Sequence, residues 1–479
     1  MVDAVVVGSG PNGLAAAVTL ARAGLEVEVH EAADTIGGGL RTQELTEPGF
    51  RHDVCSAIHP MVLTSPFFRA WKATERVDYL IPEASYGHPL DRGRAGIAYR
   101  DLDRTVGTLG VDGIAWRELL QPVVDRMEAV TQFTLNPLLP IPKRLFDVVP
   151  FGLRVLEQGS PAWLRRFEGT VAPGMLTGVM AHTITKLPGL PAAGAGLVLA
   201  ANAHADGWPL PMGGAQSLAD AMVADLEAHG GRVVTGHRVT AASDLPLSAA
   251  VLFDTSPRDM VAAVGSRLPT DYVRALDRFR YGNAVFKLDL AVSVPIPWTN
   301  RALLDAPTVH LGGTAEEIAA SENAVAAGRH PDRPYVLLSQ PSLFDASRAP
   351  VGKHTVWAYC HVPKGSRVDM SVAIVDQIER FAPGFRDTII AQAGRDTVVV
   401  ERENPNDIGG DISGGEPSLR QLLRRPVVRR EPWRTPAAGV YLCSSSAAPG
   451  MGVHGMAGFL AAESALRNTF RLPVPSLAP

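Results

Sequence analysis

A glycine-rich turn near the start of the chain constrains the fold more than any other feature. Residues 4–7 form a short apolar run, typical of a buried parallel strand, and lead directly into GSGPNG at 8–13. Residues 14–23 are rich in Ala and Leu, which favour helices, and residues 25–29 alternate apolar and acidic side chains as a second strand does. This order predicts a βαβ unit that binds a dinucleotide.

The spacing within this unit gives each residue a chemical task. Gly8 permits a tight turn, Gly10 lets a pyrophosphate approach the backbone, and Gly13 lets the helix pack close to the strand. Glu31 follows the second strand, 23 residues after Gly8, where its carboxylate would accept hydrogen bonds from ribose hydroxyls. The helix N-terminus offers unpaired N–H groups to phosphate oxygens. The predicted contacts are Gly8, Gly10, Pro11, Asn12, Gly13 and Glu31.

A second glycine loop, GGGLR at 37–41, follows the acid and indicates which dinucleotide is bound. We expect the backbone of Gly38, Gly39 and Leu40 to follow an extended cofactor, and Arg41 to neutralise its diphosphate. A surface position for Arg41 is the alternative. The loop resembles that of FAD enzymes of the amine oxidase and carotenoid desaturase type, so the predicted cofactor is FAD.

The C-terminal end repeats the order of strand, glycine loop and helix. Residues 439–443 read as a buried strand, 444–458 contain four glycines, and a helix is predicted over 456–468. In a flavin protein the N-terminus of this helix would face the isoalloxazine ring and stabilise negative charge on it. The predicted flavin contacts are Gly450, Gly452, Val453, His454, Gly455 and Met456.

Five motifs together indicate a family. They are GSGPNGLAAA at 8–17, HDVCSAIHPM at 52–61, LPMGGAQSLADAM at 210–222, ENPNDIGGDISGG at 403–415 and YLCSSSAAPGMGVHGMAGF at 441–459. With them the chain resembles the phytoene-desaturase-like FAD-dependent oxidoreductases, relatives of carotenoid desaturases in the flavin amine oxidase superfamily, over almost its whole length. The resemblance implies that the backbone near Val239 contacts the adenine. Ser444, Ser445 and Ala448 depart from the family pattern.

The expected fold class is α/β. A Rossmann-type FAD-binding domain, discontinuous in sequence, is assembled from residues 1–75, 205–265 and 430–479. Residues 76–204 and 266–429 form an α+β substrate-binding domain built on an antiparallel sheet. Strands are predicted at 232–236, 238–240, 251–257, 286–292, 335–338 and 355–360, where apolar and β-branched residues dominate or alternate.

Two histidines are candidate catalytic residues, each weighed against a structural role. His454 lies within the predicted flavin loop, where it would contact the ring, move a proton or brace the loop. His59 would lie near the flavin or the substrate tunnel. The alternative is a structural histidine whose hydrogen bonds are satisfied within the protein. His52, Cys55 and His59 form HxxCxxxH without a nearby fourth ligand, so no metal site is predicted. Asp411 is expected to form a turn more readily than to line the active site.

Composition and charge limit the partners. The net charge of −4 over 479 residues argues against a nucleic-acid binder, and three scattered cysteines argue against a disulfide scaffold. No apolar run approaches 18 residues and no secretory signal is evident, so we expect a cytoplasmic protein. Six arginines lie between 420 and 434, and form either a solvated face or a patch that meets an anionic membrane. The oligomeric state does not follow from the sequence.

The predicted function is hydride abstraction from a C–H bond onto flavin N5. The outcome would be desaturation or oxidation of a lipophilic, polyene- or isoprenoid-like molecule, or of an amine-like one. No second GxGxxG is present, so electrons would leave to oxygen, a quinone or a partner protein. The alternatives are a redox-neutral flavin-dependent isomerase and a non-catalytic flavin-bound partner protein.

Overall fold

The computed structural model describes residues 2–138 and 144–479. The strands are β1 Ala4–Val7, β2 Val27–His30, β3 Thr42–Glu44, β4 Arg51–Asp53, β5 Tyr79–Leu80, β6 Ala84–Leu90, β7 Arg94–Tyr99, β8 Leu210–Pro211, β9 Arg232–Val234, β10 Ala250–Phe253, β11 Ala284–Val292, β12 Thr308–Leu311, β13 Val336–Ser339, β14 His354–Val362, β15 Ile389–Arg395 and β16 Val440–Leu442.

The helices connect and cover these strands. They are α1 Pro11–Arg22, α2 Pro66–Ala70, α3 Ala73–Arg76, α4 Leu102–Thr108, α5 Gly113–Val124, α6 Met127–Thr134, α7 Leu145–Gln158, α8 Val171–Met180, α9 Leu190–Ala205, α10 Gln216–Ala228, α11 Pro257–Val264, α12 Thr270–Leu276, α13 Ala315–Ala326, α14 Ser371–Phe381, α15 Thr397–Glu403, α16 Leu419–Leu422 and α17 Met456–Ala465.

A five-stranded parallel sheet in the order β16-β10-β1-β2-β9 forms the first core. The side chains of β1 are buried on both faces, as expected for a central parallel strand between helical layers. The strands come from the N-terminal, middle and C-terminal parts of the chain. Because all of them run parallel, their carboxyl ends meet at one edge, where open α/β sheets bind ligands.

A seven-stranded mixed sheet in the order β15-β11-β14-β13-β12-β6-β7 forms the second core. All its pairings are antiparallel except β12 with β6. One face packs with α5, α8 and α9, and the opposite face packs with α14. The mixed α/β class and the predicted antiparallel strands of residues 286–292, 335–338 and 355–360 are confirmed, whereas the domain boundaries stay a prediction.

The helices α1 and α17 pack closely because of one glycine. A Cβ built on Gly458 would lie 1.8 Å from the backbone oxygen of Asn12, so no larger residue fits without moving a helix. This contact joins the first helix of the chain to the last. The glycine loops that precede the two helices are therefore neighbours.

The predicted strand at 238–240 is wrong. The strand β9 ends at Val234, and Gly236 then adopts a φ of +65° that extended backbone does not have. The N–H of His237 donates to the Glu31 backbone oxygen at 2.8 Å, which turns the chain across the carboxyl edge of the sheet. Among the described residues, no helix is long and apolar enough to cross a membrane.

Candidate functional site

One cavity of about 1120 Å³ runs along the carboxyl edge of the parallel sheet and continues under the helices of the second core. Both glycine-bearing ends of the chain line it. Of the residues predicted from the sequence, the cavity is lined by Gly8, Gly10, Pro11, Asn12, Glu31, Gly38, Gly39, Leu40, Arg41, His59, Val239, Gly452, Val453 and His454. Gly13, Gly450, Gly455 and Met456 lie outside this lining and support it from behind.

The Glu31 carboxylate is fixed in place at one end of the cavity. The backbone N–H and the hydroxyl of Ser9 donate to Oε2 of Glu31 at 2.9 and 2.5 Å, and the N–H of Ala33 donates to Oε1 at 2.9 Å. Each oxygen of an ionised carboxylate has two lone-pair positions, so Glu31 retains acceptor capacity. It is therefore held ready for further donors such as a vicinal diol.

The first glycine loop packs against Asp254, at the end of β10. A Cβ on Gly10 would lie 2.6 Å from Oδ2 of Asp254, and a Cβ on Gly8 would lie 2.7 Å from the Asp254 backbone oxygen. Glycine is thus required here by the packing of Asp254, whatever the loop binds. Burial, with the Glu31 charge, raises the pKa of Asp254 well above its ordinary value. The sequence placed this segment near the cofactor but gave Asp254 no role.

The second glycine loop lies beside the first. A Cβ on Gly38 would be 3.1 Å from Cα of Gly10, and Gly38 has a φ of +54°. Arg41 is buried rather than at the surface: its Nε donates to the Gly38 oxygen at 3.0 Å and its Nη2 to the Glu403 backbone oxygen at 2.7 Å. A guanidinium held in this way places fixed positive charge beside the glycine backbone.

The C-terminal loop forms the opposite wall, and His454 braces it. Nδ1 of His454 accepts from the Met456 N–H at 3.0 Å, and Nε2 lies 3.2 Å from the Gly450 backbone oxygen, to which it donates. The Ser65 hydroxyl donates to the His454 backbone oxygen at 2.6 Å. Burial lowers the pKa of His454 to about 4. Since both ring nitrogens are used within the loop, the geometry favours the bracing role over proton transfer.

Arg425 is a cavity-lining residue whose position the sequence analysis predicted wrongly. It belongs to the arginine stretch predicted as a solvated or membrane-facing patch, yet it is buried and lines the cavity. It donates to the backbone oxygens of Ser413 and Ser445 at 2.7 and 2.8 Å, and burial lowers its pKa to about 10. The proline after it, Pro426, is the one local sign that the stretch is not a uniform surface run.

The structure separates the two remaining candidates. His59 lines the cavity, both its ring nitrogens are buried without a partner within the described ranges, and burial lowers its pKa to about 4, so its contact with flavin or substrate stays a prediction. Asp411 forms a turn: its carboxylate accepts from the N–H groups of Gly282, Ser413 and Gly415. In residues 2–138 and 144–479, no group of three or more His, Cys, Asp and Glu side chains is arranged to hold a metal.

A polar side pocket adjoins the second glycine loop. Lys287, at its wall, donates to Asp289, which also accepts from Arg395 at 2.8 Å. Burial lowers the pKa of Lys287 to about 8, while Asp289 acts against this shift. The Asp289 carboxylate compensates the positive charges beside it within the second core. The pocket therefore has an ammonium group in its wall but no large net positive charge at its base. The sequence reading did not identify this cluster, because Lys287 and Asp289 lie in a regularly alternating strand.

The far half of the cavity is an apolar chamber. It is enclosed by residues from α6, α7 and α9 and from the second sheet, among them Phe133, Leu135, Phe151, Leu156, Leu190, Val198, Leu199, Trp208 and Leu337. The cavity therefore joins a glycine-lined, polar groove to a chamber suited to an apolar molecule. Residues 139–143, next to α7, lie outside the described part of the chain.

Comparisons with known proteins agree with this geometry. The chain matches the family of NAD(P)-binding Rossmann-like domains over residues 6–73. Over an alignment 573 positions long, it is 26% identical to the rat pyridine nucleotide-disulfide oxidoreductase domain-containing protein 2. The alignment covers 97% of this chain and 93% of the rat protein. The dinucleotide-binding unit predicted from the glycine spacing is thus confirmed.

Two solved structures establish the architecture. A triple mutant of putrescine oxidase superposes with a TM-score of 0.63 at 15% identity, covering 98% of this chain and 99% of that one. The chain has the fold of the amine oxidases. Cyclohexylamine oxidase from Brevibacterium oxydans shares this fold, with a TM-score of 0.57, 14% identity and 97% and 98% coverage. The amine oxidase fold fits the family resemblance found in the motifs, and with the rat relative it supports an oxidoreductase enzyme.

Proposed function

We propose that the protein is an FAD-dependent oxidoreductase that oxidises a mainly apolar substrate at a C–H bond. The observation that carries the proposal is one continuous cavity. The N-terminal and the C-terminal glycine loops both line it, and it opens into an apolar chamber. A dinucleotide at the N-terminal loop would reach the C-terminal loop only if it were extended along this cavity. The family match names NAD(P), but the second glycine loop and the amine oxidase fold favour FAD.

The residues of the groove fit FAD. The close contacts of Gly8 and Gly10 leave no room for side chains, so the backbone itself forms the phosphate-facing wall. Glu31 would accept the ribose hydroxyls, the start of α1 would donate to the pyrophosphate, and Val239 would lie against the adenine. Arg41 would add charge compensation beside the second loop. The chemistry supplied by bound FAD is acceptance of a hydride from a C–H bond, which desaturates or oxidises the substrate.

The protein would orient the reactive ring and the substrate, exclude water from the site and supply fixed charge. The start of α17 and the backbone around Gly452 would face the reactive ring, held by His454 and Arg425. The apolar chamber would exclude water from the reacting carbon. His454 is occupied and neutral, so it is not placed as a general base. Completing a double bond also removes a proton from the substrate, which would leave to solvent after the hydride, so the hydride transfer itself needs no base.

We further propose that the substrate enters from a lipid surface across α7. Phe146, Leu153 and Leu156 on this helix are 89%, 59% and 58% exposed, and Leu153 and Leu156 also line the cavity. An exposed apolar face that continues into an apolar cavity gives a lipophilic molecule a path without contact with water. Arg144, exposed at the start of α7 and 3.5 Å from Asp147, adds a cation that an anionic membrane would attract.

The test is to identify the cofactor and then to reduce it. Protein purified without added cofactor is expected to be yellow and, on denaturation, to release FAD identified by mass spectrometry. Anaerobic addition of lipophilic C–H donors should bleach the visible flavin absorption, and oxygen or a quinone should restore it. Release of a nicotinamide dinucleotide, or of no cofactor after incubation with FAD, would contradict the proposal. Turnover without any electron acceptor would instead support a redox-neutral isomerase.

A further inference from the structure

The chamber is not uniformly apolar: it has one polar corner, formed by His182, Thr308, His310 and Trp357. His182, Thr308 and Trp357 line the cavity, and His310 lies directly behind His182. The mechanism described above uses none of these residues. They are brought together from the helical layer and from β12 and β14, far apart in sequence.

The two histidines of the corner form a pair with a definite geometry. Their Nε2 atoms are 2.8 Å apart and their rings are nearly perpendicular, with centroids 4.9 Å apart. Trp208 packs edge-on against His182 at 5.7 Å. One Nε2 must donate and the other must accept, because two neutral imidazoles share only one proton in this contact.

The direction of this hydrogen bond follows from the surroundings of His310. Its Nδ1 is buried and has no partner in the described ranges. A proton on that atom would bury an N–H group with nothing to receive it, which proteins avoid more strongly than a bare acceptor. We therefore assign the proton to Nε2 of His310, which donates to Nε2 of His182. His182 then carries its own proton on Nδ1.

The Nδ1–H of His182 is the donor left for a ligand. Within the described part of the chain this nitrogen makes no hydrogen bond, and its residue lines the cavity. Burial, together with the nearby His361, lowers the pKa of His182 to about 3, so the ring is neutral at physiological pH. A neutral N–H can bind an uncharged acceptor without burying a net charge, whereas a carboxylate would bring an uncompensated charge into the apolar chamber. It cannot bind an ammonium group, which is itself a donor.

Three further polar groups without a hydrogen-bond partner in the described residues share this face of the sheet, and two of them, on Thr308 and Trp357, belong to residues that line the cavity. Thr308 faces Ser339 across β12 and β13, and Ser339 faces Trp357 across β13 and β14, so the three side chains share one face of the sheet. Oγ1 of Thr308, Oγ of Ser339 and Nε1 of Trp357 are buried and unpaired in the part of the chain described. Such groups are rare in proteins and call for a ligand or water partner.

We propose that the polar corner binds a neutral oxygen atom of the substrate, a ketone, ether or hydroxyl oxygen, through the Nδ1–H of His182. This inference rests on the proposed function and deepens it, because it selects oxygenated lipophilic molecules over pure hydrocarbons and over amines. His310 is the positioning residue that fixes the His182 tautomer.

The experiment uses two probes of nearly equal shape, 2-acetylnaphthalene and 2-ethylnaphthalene, which differ in one carbonyl oxygen. Calorimetric titration of the FAD-saturated protein should give a dissociation constant about 2- to 10-fold lower for the ketone, the range of one net hydrogen bond. His182→Phe should abolish this preference, and His182→Asn should restore part of it. His354→Leu, a histidine outside the cavity lining, should leave the preference unchanged.

Equal affinity of the two probes for the wild-type protein would overturn the inference, and this comparison needs no variant. So would a preference that survives His182→Phe, or the failure of the ketone to bind. Flavin absorption is measured on the same samples. Full FAD occupancy without a ketone preference would reject the polar corner alone, whereas absence of FAD binding would reject the proposed function.

Discussion

The backbone N–H of Gly13 donates to the Asp254 carboxylate at 2.8 Å, across 241 residues of sequence. This bond fastens the end of β10 to the first turn of α1, where phosphate oxygens are expected. A buried acid therefore occupies the back of a loop whose front is proposed to receive an anion. The groove is built from backbone and a carboxyl group, and its electrostatics depend on whether that group holds a proton.

The first prediction concerns the pH dependence of stability. Asp254 has a raised pKa in the folded protein, so the folded state holds a proton that the unfolded chain loses near the ordinary aspartate value of about 3.9. The protonated Asp254 carboxyl makes its full contribution to the free energy of unfolding below that pH. This contribution is lost as the pH rises toward the pKa of Asp254 in the folded protein. Asp254→Asn should therefore unfold at a higher temperature than wild type near pH 7, with the difference shrinking toward pH 4. Scanning calorimetry across this range measures it; a constant difference would show that Asp254 does not titrate.

The second prediction concerns Gly10. Gly10→Val places a Cβ 2.6 Å from Oδ2 of Asp254 and adds two methyl groups, so the loop must move away from Asp254 and into the proposed groove. We expect a folded, colourless protein that does not take up added FAD, measured by visible absorption and circular dichroism. Gly107→Val, where a Cβ meets no atom within 4 Å, is the control for a glycine change by itself. A yellow Gly10→Val protein would remove the phosphate role of this loop.

The third prediction concerns Glu31. Glu31→Ala removes a charged acceptor and frees the Ser9 hydroxyl, and should weaken FAD binding by about 1–3 kcal/mol. Titration of the apoprotein with FAD, followed by fluorescence quenching, gives the affinity. Glu26→Ala, an exposed acid at the opposite end of β2, is the matched control. Equal affinities for the two variants would refute the ribose contact.

The fourth prediction concerns α7. Leu153→Ser should weaken binding to vesicles of phosphatidylglycerol and phosphatidylcholine by about 10- to 150-fold, because it removes one buried leucine's contribution of about 1.5–3 kcal/mol. Leu247→Ser changes an equally apolar residue that is 77% exposed on another surface, and should bind as wild type does. Sedimentation with the vesicles measures both. Wild-type protein that stays in the supernatant would rule out the membrane path.

Features that depend on residues close together in the sequence could be predicted from it. The first βαβ unit, its glycines and Glu31 follow from residue types within one short segment, and the two glycine loops line one cavity as the motif spacing requires. Long-range contacts were not predictable. Arg425 reads as one member of a basic surface run until the chain closes around it, and Asp254 gains its importance from a glycine loop at the other end of the chain. Likewise His454 suits catalysis by type, yet the fold of its own loop occupies both nitrogens.

The close approach of Gly458 to Asn12 has a consequence for synthesis. The ribosome makes Asn12 446 residues before Gly458, so the two walls of the proposed groove meet only after the segment between them has been synthesised. If the groove holds FAD as proposed, chains that stop before Gly458 would lack the second wall. Such chains should remain colourless and open to proteolysis.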